Sequence, residues 1–174
     1  MQISRAKATP ARSGLLAQSE RLACVAVLAA GPADAFDPFA RIVAKVLDAP
    51  IALISLVHTD HQTFLGMVGL PEPWATTRSS PVDYSFCQHV VTHGLRSYGD
   101  ARTDVQVRDS PAVGEIGILA YAGVALHDRA GHVLGAVCAI DTMPRMWSRL
   151  DMAGLADVAV ACSAEVALRL RGGC

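Results

Sequence analysis

Apolar residues recur at two different spacings along this chain, and the spacing separates predicted helices from predicted strands. In the segment 39–47 they stand three and four positions apart, which is the period of an amphipathic helix. Asp37 precedes that segment and is expected to cap the helix, with Pro38 in its first turn. A longer helix is predicted over about residues 14–30, where a Gly-Pro pair then stops it.

Runs rich in β-branched residues predict the strands. Residues 51–57 form a near-continuous apolar run, which is typical of a strand buried on both faces. Residues 63–68 return after a polar turn, so the two segments are expected to form a hairpin. Residues 119–126 and 133–140 predict two more strands joined by a tight turn, and 97–99 a brief one.

The remaining segments predict a lid and two further helices. Residues 69–83 contain three prolines and several Ser and Thr residues, which predicts a long loop of the kind that often serves as a lid. Ser85 and Gln88 give a capping-box pattern at the start of a helix, and Ser148 is expected to cap the last helix. The order of elements predicts an α+β fold, an antiparallel sheet of five to six strands flanked by helices.

A length of 174 residues predicts one domain. The polar residues 1–12 are expected to be a disordered arm, and residues 13–174 a single domain with a helix at each end. The first 35 residues resemble a secretory signal, because basic residues precede the apolar run 22–30. We reject that interpretation since Glu20 and Arg21 abut the run, which is also far too short to span a membrane.

Composition narrows the function. Aromatic residues make up only 5% of the chain and the net charge is −1, so the stacking rings and basic face of a nucleic-acid binder are not expected. The chain has five cysteines, an odd number that cannot all pair in disulfides, and none of them forms a CxxC motif. This favours reduced thiols and a cytoplasmic location. No membrane partner is predicted.

A series of short motifs follows in order along the chain. The motifs are Arg21-Leu22, Phe36-Asp37, the strand 51–57, Ser85-Phe86-Cys87, Gly99-Asp100-Ala101-Arg102, Tyr121-Ala122-Gly123, Gly135 to Asp141 and Trp147-Ser148. In order and spacing they resemble the landmarks of the GAF domain family over roughly residues 21–170. No single motif is decisive, and it is their order that makes the likeness specific.

The resemblance implies a regulatory module with a GAF/PAS-like layer sandwich. Domains of this family bind small molecules such as cyclic nucleotides, amino or keto acids, haem or bilins. They stand beside histidine kinases, cyclases, phosphatases or transcription regulators. We therefore expect a bacterial sensor, not an enzyme, that acts on a kinase, cyclase or phosphatase partner, while its ligand or cofactor stays unknown. The candidate ligand-binding residues are Ser85, Phe86, Cys87, His89, Asp100, Tyr121 and Cys138.

The residues present disfavour two cofactors and a metal. A covalent bilin is normally attached to a Cys followed directly by His, whereas Gln88 follows Cys87. Haem needs an axial His in a roomy apolar pocket, and His89 fits that role only loosely. His89 and His93 can face one ligand from a single helix, but no third or fourth metal donor accompanies them.

Several candidate residues have both a chemical and a structural interpretation. A thiol in the first turn of a helix, such as Cys87, has a lowered pKa, but free Cys is also a common core residue, and the core role is favoured for Cys87 and Cys138. If the two thiols met they could form a redox pair, as in the free methionine sulfoxide reductases, which is the alternative function. Asp100 either binds a ligand amine or, as favoured, caps the following loop. Tyr121 either orients a ligand or is a core aromatic.

The last helix carries apolar residues on two sides. One stripe contains Leu155, Cys162 and Val166, and a second contains Val160 and Ala164. A helix with two apolar sides has two partners, one of which is the sheet. The other is the first helix or a second copy of the chain, and we predict a parallel homodimer with a helical-bundle interface. A degenerate domain used only for dimerisation is the remaining alternative.

Overall fold

An antiparallel sheet of six strands forms the middle layer of the protein, as the computed structural model shows for residues 10–172. This confirms the predicted α+β class. The strands are β1 (Ile51–Val57), β2 (His61–Val68), β3 (Ser79–Pro81), β4 (Arg96–Tyr98), β5 (Ala120–His127) and β6 (Val133–Asp141). The helices are α1 (Pro10–Ala29), α2 (Asp37–Val46), α3 (Trp74–Thr77), α4 (Cys87–His93) and α5 (Arg149–Arg169).

The strand order β3-β2-β1-β6-β5-β4 places the two most apolar strands in the centre. All residues of β1 are buried, as the unbroken apolar run predicts, and Leu53 lies opposite Cys138 of β6. The two edge strands, β3 and β4, have only three residues each.

Two apolar layers lie on opposite faces of this sheet. Helices α1, α2 and α5 pack on one face, where residues such as Ile54, Ala122 and Leu155 are buried. Helix α4 and the segments 70–86 and 99–118 cover the other face, over residues such as Leu53 and Tyr121. Neighbouring residues of one strand point to opposite faces, so each central strand contributes to both layers.

The predicted lid, residues 69–83, is more ordered than a loop. It contains the one-turn helix α3 and the edge strand β3, which pairs with His61, Gln62 and Thr63 at the start of β2. Three residues ending in proline are too short to give a periodic pattern, and for that reason β3 escapes prediction.

Asp37 does not cap α2, which corrects the sequence interpretation. Pro38 does lie in the first turn, but the carboxylate of Asp37 accepts a hydrogen bond from the Met67 backbone N–H at 2.9 Å. It also pairs with the Arg78 guanidinium at 2.6 Å. A charged partner and a free strand N–H outcompete the helix end, so Asp37 links α2 to β2 and to the lid.

Both ends of the chain bear on the predicted domain limits. Residues 1–9, most of the predicted arm, lie outside the described residues, and α1 begins at Pro10, earlier than the predicted start. At the other end Ser148 caps α5, as predicted, and Asp151 completes a capping box that the sequence interpretation did not include. Within residues 10–172 none of the helices combines the length and hydrophobicity that a membrane crossing requires.

Candidate functional site

A small, partly enclosed cavity lies on the face of the sheet that α4 covers. Its volume is about 20 Å³, which is room for roughly one water molecule. Leu53, Tyr121 and Ile140 from three strands form the floor, and Phe86 and Cys87 form one wall. The roof consists of Leu70, Trp74, Tyr84, Ile116 and Ile118.

A buried polar network closes one side of this cavity. Gln62 is only 4% exposed, and its amide nitrogen donates to the Ser80 hydroxyl at 2.9 Å. Its amide oxygen accepts from the Ser85 hydroxyl at 2.7 Å. The Ser85 oxygen in turn accepts from the Gln88 backbone N–H at 3.3 Å. The predicted capping box is not formed, because α4 begins at Cys87 with Phe86 at its cap position and the Gln88 side chain donates to the Ser85 carbonyl at 2.9 Å. These polar atoms satisfy one another and leave an apolar interior.

Two thiols meet beside the cavity. The Sγ atoms of Cys87 and Cys138 are 3.7 Å apart, and the Tyr121 hydroxyl donates to the Cys87 sulfur at 3.3 Å. Hydrogen bonding from Cys138 and Tyr121 lowers the pKa of Cys87 against the opposing effect of burial. Burial and the contact with Cys87 raise the pKa of Cys138 well above its usual value. Cys87 is therefore the more acidic thiol of the pair.

The position of Tyr121 depends on Gly123, which lies two residues along β5 on the same face. A Cβ atom at Gly123 would stand 2.6 Å from Cζ and 2.7 Å from Cε1 of the Tyr121 ring. The hydroxyl end of the ring therefore occupies the space beside the glycine, where its hydroxyl reaches Cys87. Phe86 meets this ring edge-on, with 5.5 Å between the ring centroids, and meets Tyr98 at 5.7 Å.

A contact between two irregular segments closes the roof. The rings of Trp74 and Tyr84 lie 5.1 Å apart over the cavity, and both side chains are half-buried. The Tyr84 hydroxyl donates a short hydrogen bond to Glu115, which stands in a single π-helical turn over Ala112–Ile116. The Ser110 hydroxyl also joins the two segments, by donating to the Asp83 backbone carbonyl at 2.9 Å. None of these contacts belongs to the sheet, so the roof can open without breaking strand pairing.

Two predicted site residues lie away from the cavity. His89 borders a separate surface groove with Gln106 and Ser110, and burial lowers its pKa, so its imidazole is neutral at neutral pH. Asp100 caps the short 3-10 helix Ala101–Thr103, where its carboxylate accepts from the backbone N–H and the guanidinium of Arg102. That hydrogen bonding lowers the pKa of Asp100.

The structure thus brings Phe86, Cys87 and Tyr121 together at the cavity, with Cys138 packed against the Cys87 sulfur. The sequence interpretation missed Gln62 and the roof residues. Gln62 has one available signal, because it is a polar residue two positions before Phe64 on an otherwise apolar strand face. In the described part of the chain no group of three or more His, Cys, Asp or Glu side chains could hold a metal ion.

Comparison with known proteins gives one family. The sequence model of the GAF domain family matches residues 31–166. A cyclic di-GMP phosphodiesterase of Pseudomonas aeruginosa is 34% identical over 121 residues, which is 68% of this chain. The chain spans only 20% of the length of that phosphodiesterase.

Solved structures share the fold at low sequence identity. The GAF domain of an Acinetobacter phosphoenolpyruvate-protein phosphotransferase superposes with a TM-score of 0.63 at 15% identity, covering 90% of this chain and 95% of that domain. The free methionine-R-sulfoxide reductase of Neisseria meningitidis superposes with a TM-score of 0.60 at 15% identity, covering 99% of both chains. One scaffold therefore carries both a domain of a phosphotransferase and a reductase, and the fold alone does not choose between them.

Proposed function

This chain belongs to the GAF domain family, and from that premise we propose that it is the sensory domain of a bacterial signalling protein. It binds a small molecule in the cavity between the sheet and the Trp74–Tyr84 roof, and ligand binding changes the arrangement of its two terminal helices. We place the domain in the cytoplasm. We expect it to have a sensory role and no catalytic activity of its own. Its partner is a kinase, cyclase or phosphatase output domain, and the partial match to a cyclic di-GMP phosphodiesterase supports a signalling output without distinguishing among these classes.

The observation that carries this proposal is the roofed apolar cavity itself. A volume of about 20 Å³ is too small for a ligand of several atoms, so binding requires that Trp74, Tyr84 and Ile116 move outward. The short Tyr84–Glu115 contact is the bond that such a movement breaks. The lining is mostly apolar, which favours a mostly apolar ligand with one or two polar groups. The polar groups of the lining belong to Gln62, Ser80, Cys87, Trp74, Tyr84 and Tyr121.

Ligand binding can reach the helices through β5. Tyr121 faces the cavity, whereas the next residue, Ala122, lies in the opposite layer with Leu155 of α5. The backbone N–H of His127 at the end of β5 donates to the Ser163 hydroxyl of α5 at 3.1 Å. If a ligand binds more tightly when β5 is shifted, it favours the shifted state of β5. Because β5 contacts α5, that state also favours one placement of α5.

Native mass spectrometry of the protein purified from cells tests the ligand. We expect a bound small molecule, and a ligand at a hundred times its dissociation constant stabilises the fold by about 2.7 kcal/mol. Ile116→Trp, which enlarges a roof residue, is expected to remove both the bound mass and the stabilisation. Ile42→Trp, at an exposed position of α2, is the matched control and should retain both.

An empty cavity in the wild-type protein, with no ligand-dependent stabilisation, would contradict the sensor. The volume of the cavity favours a second candidate function in that case, a filled domain that serves only for dimerisation. Steady-state reduction of free methionine sulfoxide, lost in Cys87→Ser, would instead favour the reductase alternative. The Cys87–Cys138 contact supports that reading, but both thiols are fully buried and neither lies on a loop.

The exposed side of α5 supports a homodimer. Val160 is 71% exposed and Leu168 is 47% exposed, and Ala164 between them is also exposed. Val27 of α1 is 48% exposed as well, so both terminal helices present apolar side chains to solvent. Burying such side chains against a second copy is favourable, and a two-fold axis makes one patch its own partner.

Sedimentation tests the dimer. We expect a dimer at micromolar concentration, and Val160→Glu should raise its dissociation constant about tenfold or more, because a charge then enters an apolar interface. Met146→Glu replaces a side chain that is 94% exposed before α5 begins, and it should leave the dimer unchanged. A wild-type protein that sediments only as a monomer would rule the interface out.

A further inference from the structure

A second, larger groove lies at the end of the sheet that carries the β1–β2 and β5–β6 turns. Its volume is about 600 Å³, within the range of small-molecule sites. Arg21 of α1, His58 of the β1–β2 turn and Thr92 of α4 line it, and Val91 and Val133 give it an apolar side. The groove is separate from the roofed cavity and shares no lining residue with it.

Arg21 is a buried cation with no acidic partner. Arg21 is only 8% exposed, and its Nη1 donates a hydrogen bond to the Val57 carbonyl at 2.8 Å. Its Nε is buried and has no hydrogen-bond partner. Burial lowers the pKa of Arg21, and no carboxylate of the described residues offsets that effect. A buried charge without a partner is costly, so a group that occupies the groove and carries negative charge would be stabilised.

The acidic residues around the groove are already engaged with histidines. Glu20 and Asp128 both pair with His132, at 3.6 and 2.8 Å, and Asp60 pairs with His61 at 2.6 Å. His58 hydrogen-bonds the Thr63 hydroxyl at 3.0 Å, and burial lowers its pKa, so it is neutral at neutral pH. Arg21 therefore remains the cation of this groove whose charge no neighbouring side chain matches.

We propose that this groove binds a small organic anion, with its carboxylate or phosphate against the Arg21 guanidinium and its apolar body against Val91 and Val133. The planar guanidinium can donate two parallel hydrogen bonds to either a carboxylate or a phosphate, so both groups fit this site. Gln88 and Thr92 of α4 line the opposite side of the groove. The Gln88 amide already donates to the Val82 and Ser85 carbonyls and the Thr92 hydroxyl to the Gln88 carbonyl, so Arg21 is the group that binds the anion. The site is a second one, so its test is independent of whether the roofed cavity binds a ligand.

Two anions and a neutral analogue test the groove. Inorganic phosphate and hexanoate are titrated at constant ionic strength, with 1-hexanol as the uncharged match for hexanoate, and binding is followed by backbone amide NMR shifts and by the unfolding temperature. We expect at least one anion to bind, to shift amides of Val57, His58 and Val133, and to raise the unfolding temperature. The anion that acts at the lower concentration identifies carboxylate or phosphate as the charged group.

The variants separate Arg21 from general anion effects. Arg21→Met should weaken anion binding tenfold or more, whereas Arg129→Met, an exposed arginine in the β5–β6 turn at the same end of the sheet, should not. Arg21→Lys keeps the charge but loses the fork, so it should weaken binding severalfold and serves where Arg21→Met does not fold. Unchanged affinity in these Arg21 variants, equal effects of 1-hexanol, or no response to either anion would overturn the proposal.

Discussion

Replacing Phe86 with alanine is expected to destabilise the domain by roughly 3–5 kcal/mol, the range for deleting a buried aromatic ring. Phe86 is 3% exposed and forms a wall of the roofed cavity, where its ring meets Tyr98 and Tyr121 edge-on. Unfolding in urea, followed by circular dichroism, measures the loss. The vacated ring volume also joins the cavity, so the variant should bind indole or benzene more tightly than the wild type, whose roof must first move outward.

Phe39→Ala is the control for that experiment. Phe39 is only partly buried and packs against Phe36 on the opposite face of the sheet. We expect a smaller loss of stability and no tighter binding of indole than in the wild type. A Phe86→Ala protein as stable as the wild type would show that the ring does not support the wall, and the proposed site would lose its main boundary.

Gly123→Ala is expected to cost about 1–3 kcal/mol, although it adds a single methyl group to a strand, where alanine is otherwise acceptable. The new Cβ would overlap the Tyr121 ring, which is 1% exposed and has no free space to enter. The ring must then rotate, which breaks its hydrogen bond to the Cys87 sulfur. Chemical denaturation gives the stability, and tyrosine fluorescence reports the altered ring environment.

Gly114→Ala provides the comparison. A Cβ atom there meets nothing within 4 Å, and the residue has no positive φ. That variant should be neutral or slightly stabilising, because alanine restricts the unfolded chain. Equal stability of the two variants would mean that Tyr121 is not held over Gly123.

Most of the fold follows from local patterns. The unbroken apolar run of β1, the amphipathic period of α2 and the Ser148 cap of α5 each specify their own element, and the structure has all three. The lid is different, since β3 gains its ladder only by lying beside β2. Asp37 is the same kind of case, because its partners Met67 and Arg78 are distant in sequence and no local pattern places them beside it.

The site was predictable only where one short motif supplied it. Phe86 and Cys87 are adjacent in sequence and reach the cavity together, and the YAG motif supplies Tyr121 and the glycine beneath it. His89 follows Cys87 by two residues, and that step turns it to a different side of α4. The roof could not be predicted, because Trp74, Tyr84 and Glu115 meet through long-range contacts between irregular segments.

Both edges of the sheet are formed by very short strands. The two edge strands, β3 and β4, are three residues long, and β3 ends in Pro81, which has no N–H to donate. Such edges give neighbouring molecules almost no template for continuing the hydrogen-bond ladder, which guards against fibril growth. Copies of the domain held close together would therefore have little tendency to join their sheets into one.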